Sequence, residues 1–362
     1  MRQSYLIRLR PLEPFLFGGE HNFDYGTKRQ TPQRYYICSE DRPSQTTLFG
    51  TLRYAVLAAN DALITAYGDR EQIERVRELV GPASFDIAQE EQDFGVIGSI
   101  SPLFLLHHEG DRIHTLVPLP MNHGFREENP LYVPCTMVED REALTNRSFT
   151  PLYAEDRSLK HIFKGWVSTE EGKIFPYDAI LADHLQVGID SHRTEDIFDQ
   201  EGGFFKKSKL IFRDKRDAFA FYAEMELTPA AEEAFFSGIP VTMGQGKTPF
   251  LLTAELRENR LAEEVRTQFT KMNAGKRPFC YSLSDAYLCE MPEDFFFAET
   301  KPFRYLTTDL SRKTHLEQLR RTHTLYRLFS AGGVFYGSVP TGPKHVTTIG
   351  LNQFIIIGGT SE

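Results

Sequence analysis

The stretch Pro43-Ser44-Gln45-Thr46-Thr47-Leu48-Phe49-Gly50-Thr51-Leu52-Arg53 decides how the rest of the chain is read. Pro43 fixes its own φ, and Ser44 follows as a helix N-cap whose hydroxyl can accept an orphan backbone N–H. Behind it Leu48, Leu52, Ala55, Val56, Ala59 and Leu63 recur at helical spacing and make one apolar face. Thr46, Thr47 and Arg53 are left near the helix entrance, where backbone N–H groups and the helix dipole favour an anion such as a phosphate. The same residues also make an ordinary capped core helix, which local physics favours.

Upstream, Tyr5, Ile7 and Leu9 alternate with Arg8 and Arg10 as a half-buried strand. Pro11 and Pro14 end it, and Phe15 to Phe17 run into a turn at Gly18-Gly19. Downstream, residues 71–80 read as a short amphipathic helix stopped by Gly81-Pro82, and 103–106 pairs with 113–119 across a polar turn. Residues 120–190 are the least regular and read as a large insertion of short hairpins. Residues 204–212 and 219–227 look like two strands of one hairpin, with 213–217 as its tip. Thr228-Pro229 opens a helix that Gly238 stops; 243–248 is a flexible loop and 250–256 a strand.

The order strand, helix, strands, helix, strand fits a split βαβ, ferredoxin-like unit over residues 1–258. Residues 259–362 are expected to hold a second, smaller unit: helix 261–272, strand 281–288, a basic helix 316–329, then strands 334–336 and 351–357 among glycines. The fold expected is α+β.

A chain of 362 residues that is 41% hydrophobic and 25% charged buries sizeable cores. It has no apolar run of about 18 residues to span a membrane. Met1-Arg2-Gln3-Ser4 leads straight into a strand, so the expectation is a cytoplasmic protein. Cys38, Cys135, Cys280 and Cys289 are scattered without metal-ligand spacing and read as free thiols. A net charge of −9 argues against a protein that coats nucleic acid through bulk electrostatics but leaves room for local basic grooves. Lys206, Lys207, Lys209, Arg213, Lys215 and Arg216 are opposed only by Asp214, and residues 1–53 also lean basic.

Gly244-Gln245-Gly246-Lys247-Thr248 lacks the first glycine and preceding strand of a P-loop, since position 241 is Val241. Its glycines still permit close backbone approach, and Lys247 can meet a phosphate. The second glycine-rich region, with Tyr336, Lys344 and His345, can lie along a sugar–phosphate backbone or simply form hairpin turns. His107 and His108 are adjacent and point to opposite faces of a strand, without a further ligand at useful spacing. His21, in a loop, and His345 are candidate bases for cleaving RNA at a 2′-hydroxyl. No cofactor or metal is expected.

Four segments together resemble the RAMP superfamily of CRISPR–Cas systems. They are Pro14 to Gly19, Pro43-Ser44 to Gly50-Thr51-Leu52-Arg53, Val187-Gly188-Ile189-Asp190 through Gly202-Gly203-Phe204-Phe205, and Met243 to Lys247. Within the superfamily they are similar to the Cas-five group, and most to the cap subunits of type III effectors of the third-Cmr-subunit kind. Gln245 departs from that group's usual second glycine.

The resemblance implies two ferredoxin-like (RAMP/RRM-like) domains and a non-catalytic role. Such a subunit holds the 5′ handle of the crRNA and caps the backbone beside the large polymerase-like subunit and the backbone RAMP subunits. It then implies RNA contacts at Gly18, Gly19 and His21; at Ser44, Thr46, Thr47 and Arg53; at Lys206, Lys207 and Lys209; and at Gly244, Gln245, Gly246 and Lys247. Tyr336, Lys344 and His345 follow as weaker candidates. The alternatives are a RAMP-type endoribonuclease processing precursor crRNA and, more distantly, a small-molecule phosphate-binding enzyme.

Overall fold

Strand β1 (Gln3–Pro11) shows why both faces of the central sheet are covered. Tyr5, Ile7 and Leu9 point into one hydrophobic core and Leu6 into a second, while Arg8 reaches Glu255 at 2.7 Å. The computed structural model describes residues 1–24, 34–65, 69–123, 130–139, 152–154, 164–189, 204–291, 295–309 and 319–358.

After β1 come β2 (Phe17–Asp24), β3 (Arg34–Glu40), α1 (Gln45–Ala59) and α2 (Arg70–Val80). The middle of the chain supplies β4 (Ile97–Ile100), β5 (Phe104–Glu109), β6 (Arg112–Pro118), β7 (Met137–Glu139), β8 (Leu152–Ala154), β9 (Gly165–Ser168) and β10 (Ile174–Pro176). Next are α3 (Tyr177–Ile180), β11 (Leu181–Ile189), β12 (Phe204–Phe212), β13 (Ala218–Met225), α4 (Pro229–Ser237), β14 (Ile239–Met243) and β15 (Thr248–Leu256). The remainder is α5 (Leu261–Met272), β16 (Phe279–Ser282), β17 (Phe296–Phe297), β18 (Thr300–Phe303), β19 (Leu306–Thr308), β20 (Leu319–Arg321), β21 (Tyr326–Phe329), β22 (Val334–Phe335), a 3₁₀ turn (Lys344–Ile349) and β23 (Phe354–Ile357). The fold is α+β, as expected.

The largest sheet has nine antiparallel strands in the order β10-β9-β6-β5-β13-β1-β15-β14, with β4 also on β13. Helices α1 and α4 cover one face through Leu48, Leu52, Val56 and Phe235. On the other face α5, β16 and β22 pack Val265, Phe269, Tyr281 and Val334 against Leu6, Ala220 and Tyr222. A second sheet, β11-β12-β3-β2, joins the first at a cluster of five buried rings. Phe15, Phe17, Phe212, Phe219 and Phe250 lie with centroids 5.0–6.5 Å apart. Phe15 and Leu210 exchange backbone hydrogen bonds of 2.8 Å there.

Several expectations need correction. β12 and β13 are not a hairpin: β12 pairs with β11 and β3, and β13 with β1, β4 and β5. Asp217 fixes the crossing between sheets, since its buried carboxylate accepts from the His108 backbone N–H at 2.8 Å and lies 2.8 Å from His107 Nδ1. Gly18, Gly19 and His21 lie in β2 rather than in a turn or loop. The register slips between Gly18 and His21, which puts an extra residue, a bulge, at the glycines. Residues 319–321 and 326–329 are strands and not helix, because β18, β19 and Ala286 offer them ladder partners.

The region 120–190 is also more integral than expected. β9 and β10 extend the large sheet, and Trp166 is buried in its core. Helix α1 stops at Ala59, so Leu63 lies beyond it and is exposed. Asp190 and Glu201 to Gly203 of the third resemblance segment lie outside the described residues.

Candidate RNA interface

Ser44 caps α1 as its sequence demands. Its Oγ accepts the Thr47 N–H at 3.3 Å and lies 3.0 and 2.9 Å from the hydroxyls of Thr46 and Thr47. Gln45 turns inward, donating from Nε2 to the carbonyl oxygens of Ser101 (3.0 Å) and Ile349 (2.8 Å). The helix entrance is thereby tied to both the large sheet and the C-terminal 3₁₀ turn.

Arg53 is not at that entrance. It is 7% exposed, with one guanidinium N–H directed at the Gly81 carbonyl at 3.4 Å, and burial lowers its pKa to about 10. Gly50 is exposed on the same helix with open space where a Cβ would sit, and Tyr54 is exposed one turn on. Sequence reasoning misses Tyr54, because a lone tyrosine among helical residues carries no signal.

Just before the helix, Arg42 lies over the Trp166 ring, 5.0 Å from its centroid, with Nε 3.2 Å from Asp41. Burial works against the Arg42 charge, but Asp41 and Asp285 outweigh it and raise its pKa. Burial likewise opposes the charge on Asp285, yet Lys301, at 2.8 Å, and Arg42 hold its pKa below the usual carboxylate value. This network is closed on itself and carries little spare positive charge. Sequence spacing offers no hint of it, since its members are distant along the chain.

The glycine stretch 244–247 is the turn of the β14–β15 hairpin, with φ of +74° at Gly244, +91° at Gly246 and +52° at Lys247. Gln245 N–H donates to the Leu16 carbonyl at 2.8 Å, and a Cβ on Gly244 would lie 2.4 Å from that oxygen. Gly244 is therefore demanded by packing against the chain itself. Gly246 has nothing within 4 Å, and the whole turn is exposed. Gly18, exposed and equally open, lies two residues from Leu16.

The structure thus brings together segments far apart in sequence. Gln245 bonds to Leu16, and Phe15 pairs with Leu210, the residue after Lys209, so the 244–247 turn, Leu16 to Gly18 and strand β12 adjoin where the two sheets join. Strand β3 runs from Glu40, opposite Phe17, to the α1 cap with only Asp41, Arg42 and Pro43 between. The lysines themselves are divided by the strand's period of two. Lys207 and Lys209 share a face with Gln186 and His184 of β11; Lys206 shares the other with Leu185 and Val187.

The weaker candidates lie elsewhere. Tyr336 is 4% exposed in the second core and accepts from Asn122 Nδ2 at 3.0 Å. His345 Nε2 is 2.8 Å from the Ile87 carbonyl oxygen, so that nitrogen carries the proton; Lys344 beside it is exposed. His21 has its backbone in β2, and its side chain lies outside what is described. Among the described residues no group of three or more His, Cys, Asp or Glu is placed to hold a metal ion. No described helix is long and apolar enough to cross a membrane.

A family model described as CRISPR-associated protein (Cas_Cmr3) matches residues 7–203. No curated protein matches. Among solved structures, a chain of the cryo-EM structure of the Type III-B Cmr-beta bound to cognate target RNA and AMPPnP is 14% identical. That match covers 91% of this chain and 85% of the other, with a TM-score of 0.47. A chain of Cmr-beta bound to cognate target RNA is 12% identical, with coverages of 92% and 86% and a TM-score of 0.45. A chain of the Csm3–Csm4 subcomplex of the type III-A interference complex is 10% identical, covering 93% of each chain at a TM-score of 0.35. At these TM-scores they are likenesses alone.

Proposed function

The chain belongs to the Cas_Cmr3 family of CRISPR-associated proteins, and from that premise we propose that it is a type III effector subunit that holds the crRNA 5′ handle without cutting it. In this reading it caps the backbone RAMP subunits beside the large polymerase-like subunit. The order β15-β1-β13-β4, with α1 and α4 on one face, supports a ferredoxin-like reading of residues 1–258. We take residues 259–362 as the second, smaller domain.

The observation that carries the RNA reading is that the exposed 244–247 turn and Gly18 adjoin, through Leu16, Phe15 and Leu210, the strand that bears Lys206, Lys207 and Lys209. Open glycines let a sugar–phosphate backbone approach the main chain, and lysines neutralise phosphates without reading bases. Ser44, Thr46 and Thr47 add hydroxyl groups near the end of β3. Arg53, buried on Gly81, is left out of the RNA-binding set.

The test measures binding of a repeat-derived single-stranded RNA across a salt series. Lys207→Ala/Lys209→Ala should weaken binding and flatten the log–log salt slope by about 1.4, or about 0.7 for each phosphate that is no longer neutralised. An unchanged slope would remove both lysines from the interface. Intact RNA after prolonged incubation is expected; cleavage abolished by His21→Ala would instead establish the endoribonuclease reading.

A further inference from the structure

We propose that the outer edge of β11 is a docking edge for an extended strand from a different protein chain, which adds to the four-stranded sheet by main-chain pairing. β11 is the terminal strand of that sheet and runs for nine residues, Leu181–Ile189. Its pairing with β12 is continuous from Leu181↔Phe212 to Ile189↔Phe204, and no other described strand pairs with it. On such an edge, every second residue turns its N–H and C=O away from the sheet.

The strands that end the main order of the nine-stranded sheet, and β2 at the other end of this sheet, each carry a feature that discourages further pairing. β14 is five residues long and contains Pro240. β10 has three residues and ends in Pro176. β2 has the bulge between Gly18 and His21. β11 has no proline, lysine or bulge, and its one charged side chain, Asp183, accepts the Ser208 hydroxyl at 2.8 Å.

The side chains specify the occupant further. The face that begins as core at Leu181 continues outward as Leu185 and Val187, which are 55% and 54% exposed. An incoming strand that is apolar at alternate positions would cover both while its main chain completes the ladder. RNA offers no such ladder and would leave these two side chains in water. A second copy of this chain is the poorer occupant. It brings the same net charge of −9, and its β11 has no acid to set on the His184–Gln186 face, beside Lys207 and Lys209.

The proposal rests on the reading that the chain works within an assembly. Its test is hydrogen–deuterium exchange of the β11 amides in the chain alone, with repeat-derived RNA, and in the complex purified from its native host through a tag on this chain. The edge amides should slow about tenfold or more in the complex only. Leu185→Lys and Val187→Lys, both at exposed positions, should fold normally and lose the strand-donating partner without any loss of RNA affinity. Equal exchange alone and in the complex would overturn the docking edge but leave the RNA reading intact, as would undiminished partner uptake by both variants. Protection by RNA alone, or by concentration-dependent self-association, would overturn it in favour of those occupants. A chain that purifies without partners would sink both this proposal and the effector-subunit reading.

Discussion

The nine-stranded sheet and the four-stranded sheet β11-β12-β3-β2 share one aromatic cluster yet are built on opposite terms. Around β1 and β13 the large sheet is buried on both faces, by α1 and α4 on one side and by α5 and β16 on the other. The small sheet is buried where Leu181, Leu210 and Phe212 meet that cluster, and further along it exposes Leu185, Val187 and Lys206. A side chain in the first is held by many neighbours, so changing it should register as stability. One in the second is held by few, so changing it should register as binding.

The largest effect should come from the cluster itself. Phe219 is fully buried against four other rings, and Phe219→Ala should cost about 3–5 kcal/mol of unfolding free energy in urea. Leu185→Lys should stay within about 0.5 kcal/mol of wild type. Similar losses for the two would erase the distinction between the sheets.

The 244–247 turn permits a finer version of the same comparison, because its two glycines are required for different reasons. Gly244→Ala meets both a φ of +74° and the Leu16 carbonyl oxygen at 2.4 Å, and should lose about 3 kcal/mol or more. Gly246→Ala meets only the φ of +91°, with open space around it, and should lose about 1–2 kcal/mol. Thermal unfolding of the pair decides it. Equal shifts would mean that the Leu16 carbonyl does not constrain the turn.

What the sequence made legible follows the same division. The apolar runs of β1 and β13, with their largest side chains at every second position, and the capped apolar face of α1 mark these elements as core, because burial leaves its pattern in the sequence. The crossing between β12 and β13 was not legible. Each strand reads as a strand, but only the pairing of β12 with β3 and the anchoring of Asp217 by His107 and His108 decide which sheet takes it. The site was half legible for a related reason. Glycines and lysines mark exposed turns and edges, whereas the division of Lys206 from Lys207 and Lys209 appears only once the strand is laid down. Arg53 misled because a cation two turns into a helix looks alike in sequence whether it faces solvent or the Gly81 carbonyl.

Arg53 also supplies the smallest and sharpest test, since it is the basic candidate that belongs with the buried sheet rather than with the exposed one. Its folded pKa of about 10 lies below the ordinary guanidinium value, so the folded state holds that proton less tightly than the unfolded chain. The charged form therefore destabilises the fold at neutral pH, by about 3 kcal/mol at most, and its single hydrogen bond at 3.4 Å returns little of this. As pH rises above 10, the native guanidinium loses its proton before the unfolded chain's does and the penalty fades. Arg53→Met keeps most of the volume and removes the charge, so it should be neutral or more stable than wild type by about 0–2 kcal/mol at pH 7. That advantage should shrink above pH 10, and the RNA salt slope should not move. A flattened slope would return Arg53 to the interface and mean that α1 turns this residue outward when RNA binds.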